Sequence, residues 1–377
     1  MMFQESQDND PDIDFACGND KENDMLLANI ATKIGKRIII SRNNRHYDNL
    51  HKKEVQRALS NMASFNKQVL SKQLKTTADN YAEEILGSKR FAPWLHVYTL
   101  ISGEFKEGWI PDNFFGRVVA PRIYWRLPHI TTLKTFTNRL LQTDALPDIA
   151  YYLDGVLYDK TMSIINIGDL RKLTDGGKAS VFIKSDGSGR GLRIIRTLAK
   201  DIDADLLKRA GDCVIQETIN QHEKLAHIIS STVATIRLTS VKEKDGNVTM
   251  RASYLRLGRK NTSWIQQEYS ITVAIVSQDG DLDSYGYTPD WRRWSFHPDT
   301  NFPFAGYRVP RYQEAVALCI SLHRTIPHIS VIGWDITVAQ DETVKLLEWN
   351  SGHPEIKFTE ATVGPSFIGL DWERFKD

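Results

Sequence analysis

At 377 residues the chain is long enough to bury a sizeable core and hold more than one subdomain, and 48 lysines and arginines against 47 aspartates and glutamates leave a formal charge of +1. So even a balance argues against a nucleic-acid or membrane-surface protein, whose affinity would rest on neutralising several phosphates at once. No apolar run reaches the length of a membrane span, the first residues are acidic and polar, and Cys17, Cys213 and Cys319 are scattered, so a cytoplasmic chain with reduced thiols is expected.

Residues 1–24 are rich in Asp, Asn, Gln and Glu with few apolar anchors, which predicts a disordered or loosely attached tail without chemistry. Residues 25–90 read as a helical N-terminal region. Between Asn49 and Leu86 the apolar positions Leu50, Val55, Leu59, Met62, Val69, Leu70, Leu74, Tyr81 and Ile85 recur at the spacing of one or two amphipathic helices. Aromatic density then rises from Phe91 to Trp125. Pro111 and Pro121 beside Gly108 and Gly116 predict a linker subdomain of short strands and turns over 91–130. Trp109 and Trp125 belong either to its core or to a ligand-stacking surface.

From Thr131 the run ITTLKTFTNRLLQTDALP predicts a helix with Leu133, Phe136, Leu140 and Leu141 on one face, Thr131 or Thr132 as cap and Pro147 closing the element. Lys134 falls in its first turn, where the positive dipole end and an ammonium together suit an anion. Strand and helix signals alternate after that: IAYYLDGVLYD, a helix near Gly168 to Leu173, then VFIKSDGSGRG, Val181 to Gly191. Lys184 leaves a strand as the chain enters a loop with glycine at three alternate positions and serines at Ser185 and Ser188. Glycines let backbone N–H groups converge on an anion, and a fixed lysine adds charge, so the segment fits a phosphate grip; a glycine-rich hairpin with a surface lysine fits it too. Walker A, Rossmann and protein-kinase loops are excluded, because here the lysine precedes glycines spaced G-x-G-x-G and neither H-R-D nor D-F-G follows.

A helix near Leu206 and the strands CVIQETI and STVATIRLTSV come next, with EKDGNV and QDGDLD as hairpin turns. His222, Glu223 and His227 mimic a zinc-protease motif, but histidines five apart do not stack on one helix face. Arg237 interrupts an apolar strand, so its guanidinium needs either a phosphate or a structural acid.

The segments VIGWDITV and VKLLEWN carry the strongest signal at the far end. Alternation puts Glu348 and Asn350 on one strand face, and an even-numbered loop pairing Gln340 with Thr343 would set Asp335 opposite Glu348. Facing carboxylates repel, and such hard oxygens favour Mg²⁺ bridged to phosphates over zinc; solvated acids on an edge strand are the alternative.

A helix-start lysine, a strand lysine with a glycine flap, a V-I-Q-E strand, a strand arginine, then Asp followed by Glu-x-Asn together resemble the ATP-grasp superfamily over Thr131 to Asn350. GWIPDNFF, QHEKLAHIISSTVATIRLTS and LLEWNSGHP resemble, more closely, the sugar-transfer-associated ATP-grasp proteins of polysaccharide gene clusters. The resemblance implies an α+β fold in which two subdomains clamp ATP, the ATP-grasp domain covering 131–377 with its flap subdomain near 150–220. It implies Lys134 and Lys184 on the ATP phosphates with Ser185 to Gly191, including Ser188, Gly189 and Gly191, as the flap. Gln216 and Glu217 would lie at the adenine strand, Arg237 at the transferring phosphoryl, and Asp335, Glu348 and Asn350 on Mg²⁺. Ser185-Asp186 replaces the proline of many relatives, which affects the flap geometry and not the lysine.

The function implied is an ATP- and Mg²⁺-dependent carboxylate–amine ligase that forms an acylphosphate on a sugar acid or amino acid, alongside polysaccharide-biosynthesis enzymes. Arg237 with Arg256 or Arg259 would hold the carboxylate, His222 would approach a ligand, and the amine would enter beside the loop DWRRWSFHP. A nucleotide-binding regulator of a glycosyltransferase and a phosphotransferase on the same fold are the competing readings.

Overall fold

The computed structural model describes residues 44–124, 129–187, 193–260, 262, 264–265 and 269–375, and divides the chain into units 1–53 and 54–377. Within the first unit residues 44–53 are helical, and the tail expected at 1–24 lies outside the described residues. All that follows concerns the second unit.

That unit opens with helical segments, as the apolar spacing predicts: residues 54–64, then α1 (Lys72–Glu84), whose Ser71 cap accepts from the Leu74 N–H. The aromatic stretch differs from expectation. It forms a helix, α2 (Ala92–Ser102), followed by short helical turns at Asp112–Phe114 and Ala120–Ile123 around a π-helical turn, and not short strands. The reason is burial on all sides: Trp94, Leu95, Val97, Tyr98 and Leu100 are all buried, so α2 has no polar face to betray a helical period.

Trp109 belongs to this core, fully buried with its indole N–H donating to the Glu360 carbonyl at 2.7 Å. Trp125 lies outside the described residues. The Glu360 carboxylate, also fully buried, accepts from the Ile110 and Ser366 backbone N–H groups at 2.7 Å each. Burial pushes its pKa up to about 8 from 4.5, although both N–H groups pull the other way. The folded state then keeps a proton the unfolded chain has lost, so Glu360 should make the protein less stable as pH rises from 4.5 through about 8. Thermal unfolding followed against pH should show this slope, and Glu360→Gln should flatten it; an unchanged slope in the variant would assign it elsewhere.

Among the described residues the strands form two antiparallel sheets. The smaller contains β1 (Asp148–Leu153), β2 (Val156–Asp159), β3 (Ser180–Ser185), β4 (Ile194–Leu198) and β5 (Cys213–Glu217) in the order β2-β1-β5-β3-β4. Asp154-Gly155, both at positive φ, turns β1 into β2, and helices α4 (Ile167–Leu173) and α5 (Ala204–Ala210) bury Leu170 and Leu207 against Val181, Ile183 and Ile215. A short helix between the two classes of element, α3 (Thr137–Leu141), precedes β1.

The larger sheet runs β10-β9-β8-β7-β6-β11-β12, built from β6 (Thr235–Lys242), β7 (Val248–Leu257), β8 (Ile271–Ile275), β9 (Leu282–Tyr287), β10 (Arg293–Trp294), β11 (Val331–Val338) and β12 (Val344–Asn350). Helix α6 (Glu223–Ile228) precedes it. Helix α7 (Tyr312–Thr325) lies against β6 and β7 on one face, where His323 and the Trp334 indole meet the Ser240 hydroxyl at 2.7 and 2.8 Å. Alternation sends Arg237, Tyr254 and Asp335 to the opposite face, partly roofed by α8 (Lys357–Thr362).

Candidate functional site

Lys184 sits at the end of β3, paired with Ile194 on β4 and Val214 on β5. Its ammonium donates to the Leu347 carbonyl on the other sheet at 3.2 Å. Desolvation lowers its pKa, opposed by the nearby Glu348 and Asp148 carboxylates. Where the chain leaves β3, the Asp186 carboxylate accepts from the Thr135 N–H at 3.1 Å and its hydroxyl at 2.6 Å, and the Gly187 N–H donates to the Thr132 carbonyl at 2.9 Å. Asp186 and Gly187 thus tie the flap's root to the segment that carries Lys134. Ser185 is buried there, and Ser188, Gly189 and Gly191 lie outside the described residues.

Lys134 itself lies on a 3-10 turn, Lys134–Phe136, and not in the first turn of an α-helix; α3 starts only at Thr137, and neither Thr131 nor Thr132 caps it. The threonines explain this. The Thr132 and Thr137 hydroxyls donate to the His129 and Leu133 carbonyls at 2.7 and 3.4 Å, an alternative to helix that β-branched hydroxyl residues favour. Leu133 and Phe136, expected on a buried face, are 46% and 47% exposed, while Leu141 is buried.

The acids face each other as the spacing predicts, by a different route. Asp335 pairs with Glu348, but Val338 pairs with Val344 and the Ala339 N–H donates to the Thr343 carbonyl, so the loop is odd-numbered. A bulge at Leu347 restores the register. The Leu347 carbonyl left out of step is the one that accepts from Lys184. Glu348 has its pKa raised by burial and then by the facing Asp335, against Lys134, Lys184 and Arg237.

Arg237 stands opposite Asp335 on β6, Nε donating to Oδ1 at 2.6 Å and Nη2 to Oδ2 at 2.9 Å, with Nη1 on the Pro354 carbonyl at 3.2 Å. Of its two possible partners the fold supplies the acid. Burial would lower the arginine's pKa, yet Asp335, Tyr254 and Glu355 hold it well above the ordinary value. Gly333 makes room for this pair, since a Cβ there would lie 3.2 Å from both Arg237 Nη1 and the Pro354 Cβ. Gly333→Ala should therefore cost about 1–2 kcal/mol, read as a lowered Tm.

One cavity of about 390 Å³ between the sheets takes in Lys184, Gln216, Glu217, Arg237, Arg256, Asp335, Glu348 and Asn350. Lys134 does not line it, but shares a small adjoining void with Lys184 and Glu348. His222 and Arg259 are not among its walls. His222 accepts the Lys224 N–H at 3.0 Å as the cap of α6 and lies 3.3 Å from Glu342, and Arg259 holds Asp299 in two hydrogen bonds of 2.7 and 2.6 Å. In the segment 290–298 Trp291 is buried, stacked on Phe358 with centroids 6.1 Å apart, whereas Arg292, Ser295 and Phe296 are exposed.

Several cavity groups carry no sequence signal. Phe182 and Ile194 form an apolar wall and Trp264 and Ile265 another, beside a row of polar groups, a composition suited to a base with attached phosphates. Gln216 donates to Asp148 at 2.7 Å while its carbonyl oxygen, buried, has no partner among the described residues. Glu355 is held at φ 61, outside ordinary backbone for a non-glycine residue, and bonds Arg256 and the Tyr254 hydroxyl. Arg256 and Arg237 overcome its burial and keep its pKa well below the ordinary range.

Among the described residues no group of three His, Cys, Asp or Glu is arranged to hold a metal ion. The donor set fits Mg²⁺ nonetheless, because that ion takes one or two carboxylates and completes its shell with phosphates and water, and Glu348, Asp335 and Asn350 line the cavity as hard oxygen donors.

Residues 188–371 match the family described as sugar-transfer associated ATP-grasp. No curated protein matches the chain. Among solved structures it is similar to an N5-carboxyaminoimidazole ribonucleotide synthetase in its ADP complex, at 10% identity and TM-score 0.40, over 64% of this chain and 52% of that one. It is also similar to biotin carboxylase from Campylobacter jejuni (12%, TM-score 0.38, 66% and 49%) and to the ATP-grasp ligase PsnB bound to a precursor variant, Mg and ADP (13%, TM-score 0.37, 67% and 60%). The chain thus spans about half the length of the first of these. The lysine strand ends just before the matched stretch, the arginine strand and the acid hairpin lie inside it, and all three meet at one cleft, so over residues 188–371 the chain is similar to the sugar-transfer associated ATP-grasp family.

Proposed function

We propose that the protein is an ATP- and Mg²⁺-dependent ligase that joins a carboxylate to an amine through an acylphosphate, with a sugar acid or amino acid of polysaccharide biosynthesis as substrate. The observation that carries this is the convergence of Lys184 from one sheet and Glu348 from the other on a single cavity. Phosphoryl transfer asks a protein chiefly to position groups and neutralise charge. Lys184 and Lys134 offset the phosphates, Gln216 presents an amide to the base, and Glu348, Asn350 and Asp335 would hold Mg²⁺, which supplies charge neutralisation at the transferred group. Arg237 acts at one remove, fixing Asp335. Arg256 reaches the cavity with its Nε buried and unpartnered among the described residues, a donor for the substrate carboxylate.

The test is ADP release from ATP and Mg²⁺ across a panel of sugar acids and amino acids, with the product weighed. Ligation gives the two substrates less one water, whereas a kinase-like reaction adds only a phosphoryl group. A chain that neither binds ATP by calorimetry nor releases ADP with any pair would end this reading.

A further inference from the structure

The face of the larger sheet that carries the acids holds a second chamber, further along. Arg256 pairs across to Thr272 on β8 and Thr272 to Tyr287 on β9, so the three side chains share a face. Arg256 is two residues from Tyr254, which pairs with Arg237, so that face is also the one occupied by Arg237, Asp335 and Glu348. A void of about 90 Å³ opens over Thr272 and Tyr287, closed by Trp291, Lys357 and Glu54. Arg256 and Glu355 line both this void and the nucleotide cavity, so an ion pair is the partition between them.

Charge and size decide what fits. Around the chamber two cations, Arg256 and Lys357, are matched by two carboxylates, Glu355 and Glu54, in two ion pairs with side chains 15–38% exposed. A ligand with net charge would leave one of these groups uncompensated in poorly solvated surroundings; a net-neutral ligand bearing both signs exchanges with them one for one. At about 10–15 Å³ for each water-sized centre the void takes a handful of heavy atoms, too few for a sugar nucleotide or an oligosaccharide. The ring of Trp291 and the hydroxyls of Ser270 and Thr272 add an apolar wall and neutral hydrogen-bonding groups.

We propose that this chamber binds a small zwitterionic α-amino acid as the amine partner of the ligation, ammonium toward Glu355 on the partition and carboxylate toward Lys357. This rests on the ligase reading. The nitrogen lone pair forms the C–N bond as the acyl C–O bond breaks and phosphate leaves with that electron pair. Of the three ammonium protons one stays on the amide, one leaves with phosphate and one goes to solvent. Glu355, kept anionic by Arg256 and Arg237, orients the ammonium.

The test titrates the full chain with the common α-amino acids, and with acetate and ethylammonium as one-sign controls, by calorimetry, with and without Mg²⁺ and a non-hydrolysable ATP analogue. At least one small amino acid should bind saturably and the controls should not. Lys357→Met should weaken that binding at least tenfold with nucleotide affinity unchanged. Thr272→Met, which fills the void without removing a charge, should do the same and covers the case in which Lys357→Met fails to fold. Nucleotide binding with no amino acid bound in either condition, or binding undiminished in the folded variants, would overturn the assignment. Amino acid binding with no nucleotide binding would keep the chamber and remove the ligase.

Discussion

Glu348→Gln should lower ATP turnover by at least about 100-fold, the scale seen when a preorganised electrostatic group is removed from a reacting centre. Gln keeps the shape and one oxygen but not the charge that faces Lys184 and would hold Mg²⁺. Stability should respond in the opposite sense. Burial and then the facing Asp335 raise the Glu348 pKa, so its ionised form works against the fold. That cost is absent below the ordinary value of 4.5, grows as pH rises through it, and is complete above the raised folded value. The variant should therefore melt no lower than the native chain at neutral pH, and any advantage should vanish in acid. ADP release and melting curves over pH check both halves; full turnover in the variant, or a marked loss of Tm, would take Glu348 out of the site.

Arg237→Met should be the most destabilising single change at the cleft, by about 3–5 kcal/mol, because it strands a carboxylate that the arginine now meets with two nitrogens in a nearly dry place. The side chains are 5% and 14% exposed, so solvent repays little of the loss. Arg237→Met combined with Asp335→Asn should recover part of it, since the second change removes the stranded charge. Denaturant titrations of the two singles and the double would measure the coupling; additive losses would mean the two groups act independently.

How far the sequence could carry the reading varies with the kind of signal. Lys184, Arg237, Asp335 and Glu348 stand out because each is a charge set in an apolar strand, and strand alternation alone assigns their faces. Lys134 stands on a 3-10 turn where an α-helix is expected, because helix capping rules do not weigh the competing bonds of Thr132, Thr135 and Thr137. The stretch 91–124 misleads for the reverse reason: α2 is buried all round, and without a polar face its period is invisible. Glu355 could not be foreseen, as nothing local marks a glutamate for left-handed backbone or pairs it with an arginine 99 positions away. His222 and Arg259 look like ligand contacts in a string of letters, but helix capping and Asp299 use them.

The bulge at Leu347 separates the cleft from the hairpin tip. Because one surplus residue corrects the phase of β12 before the acid is reached, the tip at 340–342 is free to gain or lose length through evolution, provided the correction is kept or dropped to match. Excising Leu347 alone would leave an unbroken ladder, with Glu348 still opposite Asp335 and Trp349 still opposite Trp334; what would vanish is the surplus carbonyl against which the Lys184 ammonium rests.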